Sequence, residues 1–139
     1  MSAWSCYLDV KPTPKGRPRL SPRGRTYTPA ATRKAEQAIY WMIHEDLMEK
    51  GYWELPIFPE GALRVSLWFS IPTKKKALWG KPHWKRPDGD NLAKLVLDAP
   101  SCMLGFKNLL WSDDAQIAEL HVRKCYEAKG RILITVEPC

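Results

Sequence analysis

Residues 62–71, ALRVSLWFSI, alternate without a break: Leu63, Val65, Leu67, Phe69 and Ile71 on one side, Arg64, Ser66, Trp68 and Ser70 on the other. Successive side chains of a strand point to opposite faces, so this pattern predicts a strand with one apolar face. Such a face is stable only under a second layer. The chain supplies further strands and two covering helices. Residues 3–10 alternate through Trp4, Cys6, Leu8 and Val10. Residues 115–126 and 131–136 (RILITV) read as strands joined by a short turn at Gly130, which predicts a hairpin.

The cover comes from two stretches of helical period. Thr28 and Pro29 look like an N-cap and first helical position, Ala35, Ile39, Met42, Ile43 and Leu47 recur at helical spacing, and Gly51 supplies a stop. This spacing predicts a helix over 29–50. DNLAKLVLDA (90–99) places Leu92, Leu95, Val96 and Ala99 on one stripe, and Pro100 ends it. Between the first strand and the first helix, Pro12, Pro14, Pro18, Pro22 and Pro29 predict an extended loop. The order β-α-β-α-β-β predicts an α+β fold, one domain over residues 1–139, with both helices on one face of a mixed sheet. At 139 residues the chain suits one core.

No apolar run approaches the ~20 residues of a membrane span, and the N-terminus lacks a signal-peptide pattern. The expectation is a soluble cytoplasmic protein without a membrane partner. Cys6, Cys102, Cys125 and Cys139 are dispersed, with no C-x-x-C pair, and are expected to be free thiols without a function.

Charge is distributed unevenly. The chain carries 22 Lys and Arg against 15 Asp and Glu, a net +7. Yet residues 88–114 hold five acids (Asp88, Asp90, Asp98, Asp113, Asp114) and two bases. Residues 11–34 hold eight bases and no acid; residues 74–86 hold six and no acid, interleaved with Trp79, His83 and Trp84. Two basic runs flanking an acidic island suggest a polyanion held against carboxylates. The DNA-contacting candidates are Lys15, Arg17, Arg19, Arg23 and Arg25 in the first run, and Lys74, Lys75, Lys76, Lys85 and Arg86 in the second. His44, His83 and His121 are expected to be structural.

Asp90, Lys94 and Asp98 are four apart, on the helix face opposite the apolar stripe. Gly89 is expected to bend the backbone so that Asp88 and Asp90 aim at one point. Asp113 and Asp114 open the next strand and close the cluster if that strand lies beside the helix. Two carboxylates ~5 Å apart repel by on the order of 3 kcal/mol at an effective dielectric near 20. A cation relieves that repulsion, and oxygen-only ligands suit Mg²⁺ or Mn²⁺. Beside a basic groove, such an ion serves phosphodiester hydrolysis, with Lys94 countering charge on phosphorus.

RPDGDNLAKLVLDA followed by LLWSDDAQI resembles the RusA family of Holliday junction resolvases, magnesium-dependent DNA endonucleases. The family signature corresponds here to Asp88, Asp90, Asn91, Leu92, Lys94, Asp98, Asp113, Asp114, Gln116 and Ile117. PKGRPRL and GRTYTP are similar to the basic N-terminal segment of many members. The resemblance implies that Asp88, Asp90 and Asp114 are the essential metal-binding carboxylates. It places Asp113 and Lys94 as close support, with Asn91, Asp98 and Gln116 around them. It also implies a homodimer that nicks two opposed strands of a four-way junction. The two-fold symmetry of a junction suits an isologous dimer. Trp79 or Trp84 is a candidate to stack at the branch point. The segment 100–110, PSCMLGFKNLL, is longer than the family pattern leads one to expect. Two alternatives stay open: a metal-dependent nuclease of flaps or other branched DNA, and a non-catalytic basic protein that binds DNA structures.

Overall fold

A computed structural model describes residues 2–139. Its main sheet has four strands: β1 (Trp4–Leu8), β4 (Leu63–Pro72), β5 (Ile117–Glu127) and β6 (Arg131–Pro138). A small ribbon of β2 (Arg19–Leu20) and β3 (Thr26–Tyr27) stands apart. The helices are α1 (Ala30–Glu49) and α2 (Gly89–Asp98). Leu63, Val65, Leu67 and Phe69 are buried, as their alternation predicts, together with Trp4, Cys6 and Leu8 of β1 and Ile132, Ile134 and Val136 of β6. The helices contribute Ile39, Tyr40, Ile43, Leu47, Leu92, Leu95 and Val96 to the same cluster. Each such side chain stabilises the fold by about 1.5–3 kcal/mol.

The expected hairpin does not form. Strand order is β1-β6-β4-β5, so β4 stands between β5, which runs parallel to it, and β6, which runs antiparallel. A β5–β6 hairpin would leave one edge of the most apolar strand unpaired; inserting β4 gives both its edges a hydrogen-bonded neighbour. The connection therefore crosses the end of β4. Gly130 is packed there so closely that a Cβ would meet Lys11 Cα at 3.2 Å and Pro72 Cδ at 3.4 Å.

Helix α1 stops as expected. Gly51 adopts φ +82°, Tyr52 N–H donates to Leu47 O, and Gly51 N–H donates to Met48 O. These bonds satisfy the last carbonyls in the Schellman manner. Its start differs from expectation: Pro29 is the N-cap and no side chain caps the helix, so Thr28 does not serve. Its buried face also includes Thr32 and Glu36, two polar positions outside the apolar stripe. The loop expected over 11–28 is interrupted by the β2–β3 ribbon, whose residues are exposed.

All four cysteines are free. Burial pushes the Cys6 and Cys102 thiols up to about 11, which keeps both neutral at ordinary pH. Among the described residues, no helix is long and apolar enough to cross a membrane.

Candidate active site

Helix α2 begins at Asp88, its N-cap, but the Asp88 carboxylate makes no cap hydrogen bond. Gly89 is the first helical residue. It adopts no positive φ, so it supplies no sharp bend, and Val122 of β5 lies beside it. Leu92, Ala93, Leu95 and Val96 are buried, which turns Asp90, Asn91 and Lys94 outward. Among the described residues, Asp88, Asp90 and Lys94 have no hydrogen-bond or ion-pair partner within the chain through their side chains.

The second acidic pair enters through a stapled return. Leu109 N–H donates to Pro100 O at 3.2 Å, closing the long 100–110 segment on itself. Ile57 N–H and Phe58 N–H then bond Leu109 O and Leu110 O, and Asn108 Oδ1 accepts from Leu110 N and Trp111 N. Leu109, Leu110 and Trp111 are fully buried. Residues 104–107 loop outward and are exposed, while the bonded chain that follows them leads into the Asp113–Asp114 turn. Trp111 Nε1–H donates to Asp114 Oδ1 at 2.7 Å, so a core indole aims this carboxylate.

Asp113 and Asp114 lie on a single 3-10 turn ahead of β5 and have different tasks. Asp113 accepts from Ala115 N–H, and Gln116 Oε1 accepts from Ser112 and Asp113 N–H, a complete capping box. Gln116 Nε2 donates to Phe58 O and Gly61 O, tying the turn to the preceding loop. Asp113, expected as close support, caps this turn through Oδ1, and Gln116 clamps it.

Asp90, Lys94, Asp98 and Asp114 line one cavity of about 830 Å³ between α2 and β5, with Leu120 and Val122 also in its wall. The juxtaposition of helix and strand expected from the sequence is present, and it joins Asp90 to Asp114. Asp88 stands just outside the lining. The expected convergence of the acids is incomplete: among the described residues, no group of three or more His, Cys, Asp or Glu side chains is placed to hold a metal ion. Magnesium is commonly held through one or two carboxylates, with water and phosphate oxygens completing the shell. Asp90 and Asp114 fit that pattern in number and in donor chemistry.

Asp98 pairs with Lys15 (2.7 Å), not with Lys94, and Lys15 also reaches the buried Glu36 at 2.9 Å. Lys15 N–H bonds Asn91 O, so this lysine ties the N-terminal segment to α2. Burial opposes its charge, but the hydrogen bonds it donates to Asp98 and Glu36 outweigh that and raise its pKa. The sequence points Lys15 toward DNA; two carboxylates neutralise it instead. The other nine bases of that set, Arg17, Arg19, Arg23, Arg25, Lys74, Lys75, Lys76, Lys85 and Arg86, are all exposed. None has an acidic partner among the described residues. Trp84 is 79% exposed, whereas Trp79 anchors its loop through Nε1–H to Thr73 O.

Lys15→Met should cost about 2–3 kcal/mol, because it leaves Glu36 buried without a counter-charge. A lysine with a raised folded pKa contributes fully below its unfolded value of ~10.4, and the contribution is lost as pH rises through the folded value. The difference in urea midpoint between wild type and variant should therefore stay level from about pH 7 to pH 9 and shrink only beyond ~10.4.

Sequence patterns did not assign a site role to Trp111, His83 or Lys124. His83 is buried, its Nδ1 has no partner, and its backbone N–H donates to Lys124 O. Burial, then Lys124 and Lys85, lowers its pKa, so the ring is neutral at pH 7. Lys124 Nζ donates to Lys85 O and Pro87 O. A usable signal was the i, i+2, i+4 row Leu120, Val122, Lys124, which puts this lysine on the helix-facing side.

Residues 9–137 match the model of the family described as endodeoxyribonuclease RusA. A crossover junction endodeoxyribonuclease rusA from Lactococcus phage r1t is 35% identical over 74 residues. The match covers 53% of this chain and 53% of that protein, so the chain spans about half the length of the curated relative it matches. With the family pattern running through both basic runs, the α2 start and the Asp113–Asp114 turn, this chain belongs to the RusA endodeoxyribonuclease family.

Proposed function

We propose that this protein is a divalent-metal-dependent endonuclease that resolves four-way DNA junctions by paired nicks, acting as a homodimer. One observation carries this reading. Asp90 and Asp114 come from separate elements into one cavity beside Lys94, which has no ion-pair partner among the described residues, in a chain whose exposed bases flank them. Asp90 and Asp114, with Asp88 adjacent, would hold Mg²⁺ or Mn²⁺. When bound, such an ion supplies Lewis acidity toward a phosphodiester and its leaving oxygen. Lys94 places a positive charge where negative charge grows on phosphorus. The ribbon arginines and the bases of residues 74–86 hold the DNA backbone, and Trp84 offers a ring to an unstacked base. The first part of β5 is an open edge of the main sheet, suited to pairing with a second copy.

A synthetic four-way junction incubated with magnesium should yield symmetric nicks on opposed strands, and EDTA should stop them. Binding without cleavage in magnesium would leave a DNA-structure-binding protein in its place. Replacing Arg23 and Arg25 together with Ala should weaken junction binding and reduce the slope of log affinity against log salt by about 2, one unit per lost phosphate contact.

A further inference from the structure

We propose that Lys124 is a positioning residue for the carboxylates at the start of α2, a role that rests on the nuclease reading above. The Asp88 carboxylate, although at the N-cap, does not cap the helix. Something else must hold the chain where it enters. Lys124 does so: its ammonium donates to Lys85 O at 2.9 Å and to Pro87 O at 2.8 Å, the latter directly before Asp88. Hydrogen bonds from a charged donor are the stronger kind. The same strand holds the incoming segment through its backbone: His83 N–H donates to Lys124 O, Tyr126 N–H to Lys81 O and Gly80 N–H to Tyr126 O.

Lys124 belongs to β5, which begins directly after the 3-10 turn carrying Asp114. Its side chain shares the helix-facing side with Leu120 and Val122 and lines the same cavity as Asp90 and Asp114. One strand therefore references both acidic elements to each other. The Asp114 turn leads into it, and Lys124 fastens the turn that delivers Asp88 and Asp90. With the clamp in place, the Asp88 and Asp90 carboxylates are free of structural duty.

Lys124→Met keeps the stem and removes the donors; Lys124→Arg restores donors at similar reach. Three quantities decide: junction affinity, single-turnover cleavage at saturating protein with magnesium, and amide hydrogen exchange over residues 86–91. The Met variant should bind the junction within twofold of wild type, cut at least tenfold more slowly and exchange at least tenfold faster over 86–91. The Arg variant should recover cutting to within threefold. If the Met variant does not fold, Lys124→Gln, which keeps one donor group, should show the same changes in smaller degree. A Met or Gln variant with wild-type cutting and exchange overturns the proposal, as does a loss confined to junction affinity. If wild-type protein itself never cuts, the nuclease reading fails. The exchange measurement then still judges the clamp: unchanged exchange over 86–91 overturns it, faster exchange supports it.

Discussion

Asp90→Asn should abolish junction cleavage while leaving the protein folded and bound to DNA. The expected loss is on the order of 10²–10³-fold, the scale seen when one group that stabilises transition-state charge is removed. Asp90 is exposed and has no partner among the described residues, so an isosteric amide should change stability by no more than about 0.5 kcal/mol. Junction affinity should hold or rise, because a negative charge facing a polyanion is lost. A gel-shift titration beside a cleavage time course separates the two effects. Asp98→Asn makes the informative contrast. It weakens the Lys15 anchor and should appear first as lost stability, with cutting reduced less. Wild-type cutting by Asp90→Asn would remove this residue from the site.

Trp111→Ala should be among the most damaging single changes to the fold. The indole is fully buried, and truncating such a side chain costs about 3–5 kcal/mol. With a urea slope of about 1–3 kcal/mol/M, the midpoint should fall by roughly 1–3 M. The change reaches the site as well, since Trp111 Nε1–H holds Asp114. Trp111→Phe separates these roles. It keeps most of the apolar volume but removes the donor, so the midpoint should fall less while cleavage still drops and junction binding persists. Cutting at the wild-type rate by a folded Trp111→Phe would mean that Asp114 needs no aiming.

The helices, all four main strands and the burial of the apolar stripes were legible because periods of two and 3.6 residues are written locally. α2 covers the sheet with Leu92, Leu95 and Val96 as its spacing required, and Leu63, Val65, Leu67 and Phe69 face inward. Bringing the α2 start beside the Asp114 turn was also legible in outline, through the shared cavity. Pairing of β5 with β6 was not. Two alternating strands joined by a short turn look the same whether they bond to each other or to a third strand between them.

The sequence by itself determined which surfaces are apolar, where the bases gather and where five aspartates accumulate. Only the tertiary structure decided what each aspartate does. Asp98 meets Lys15 across 83 positions, Asp113 caps a turn, and Asp114 is held by Trp111, while Asp88 and Asp90 have no side-chain partner among the described residues. The physical reason is range. Periodicity is a property of neighbouring residues, whereas the partner of a charge depends on which distant segments the packed core brings within about 3 Å of it.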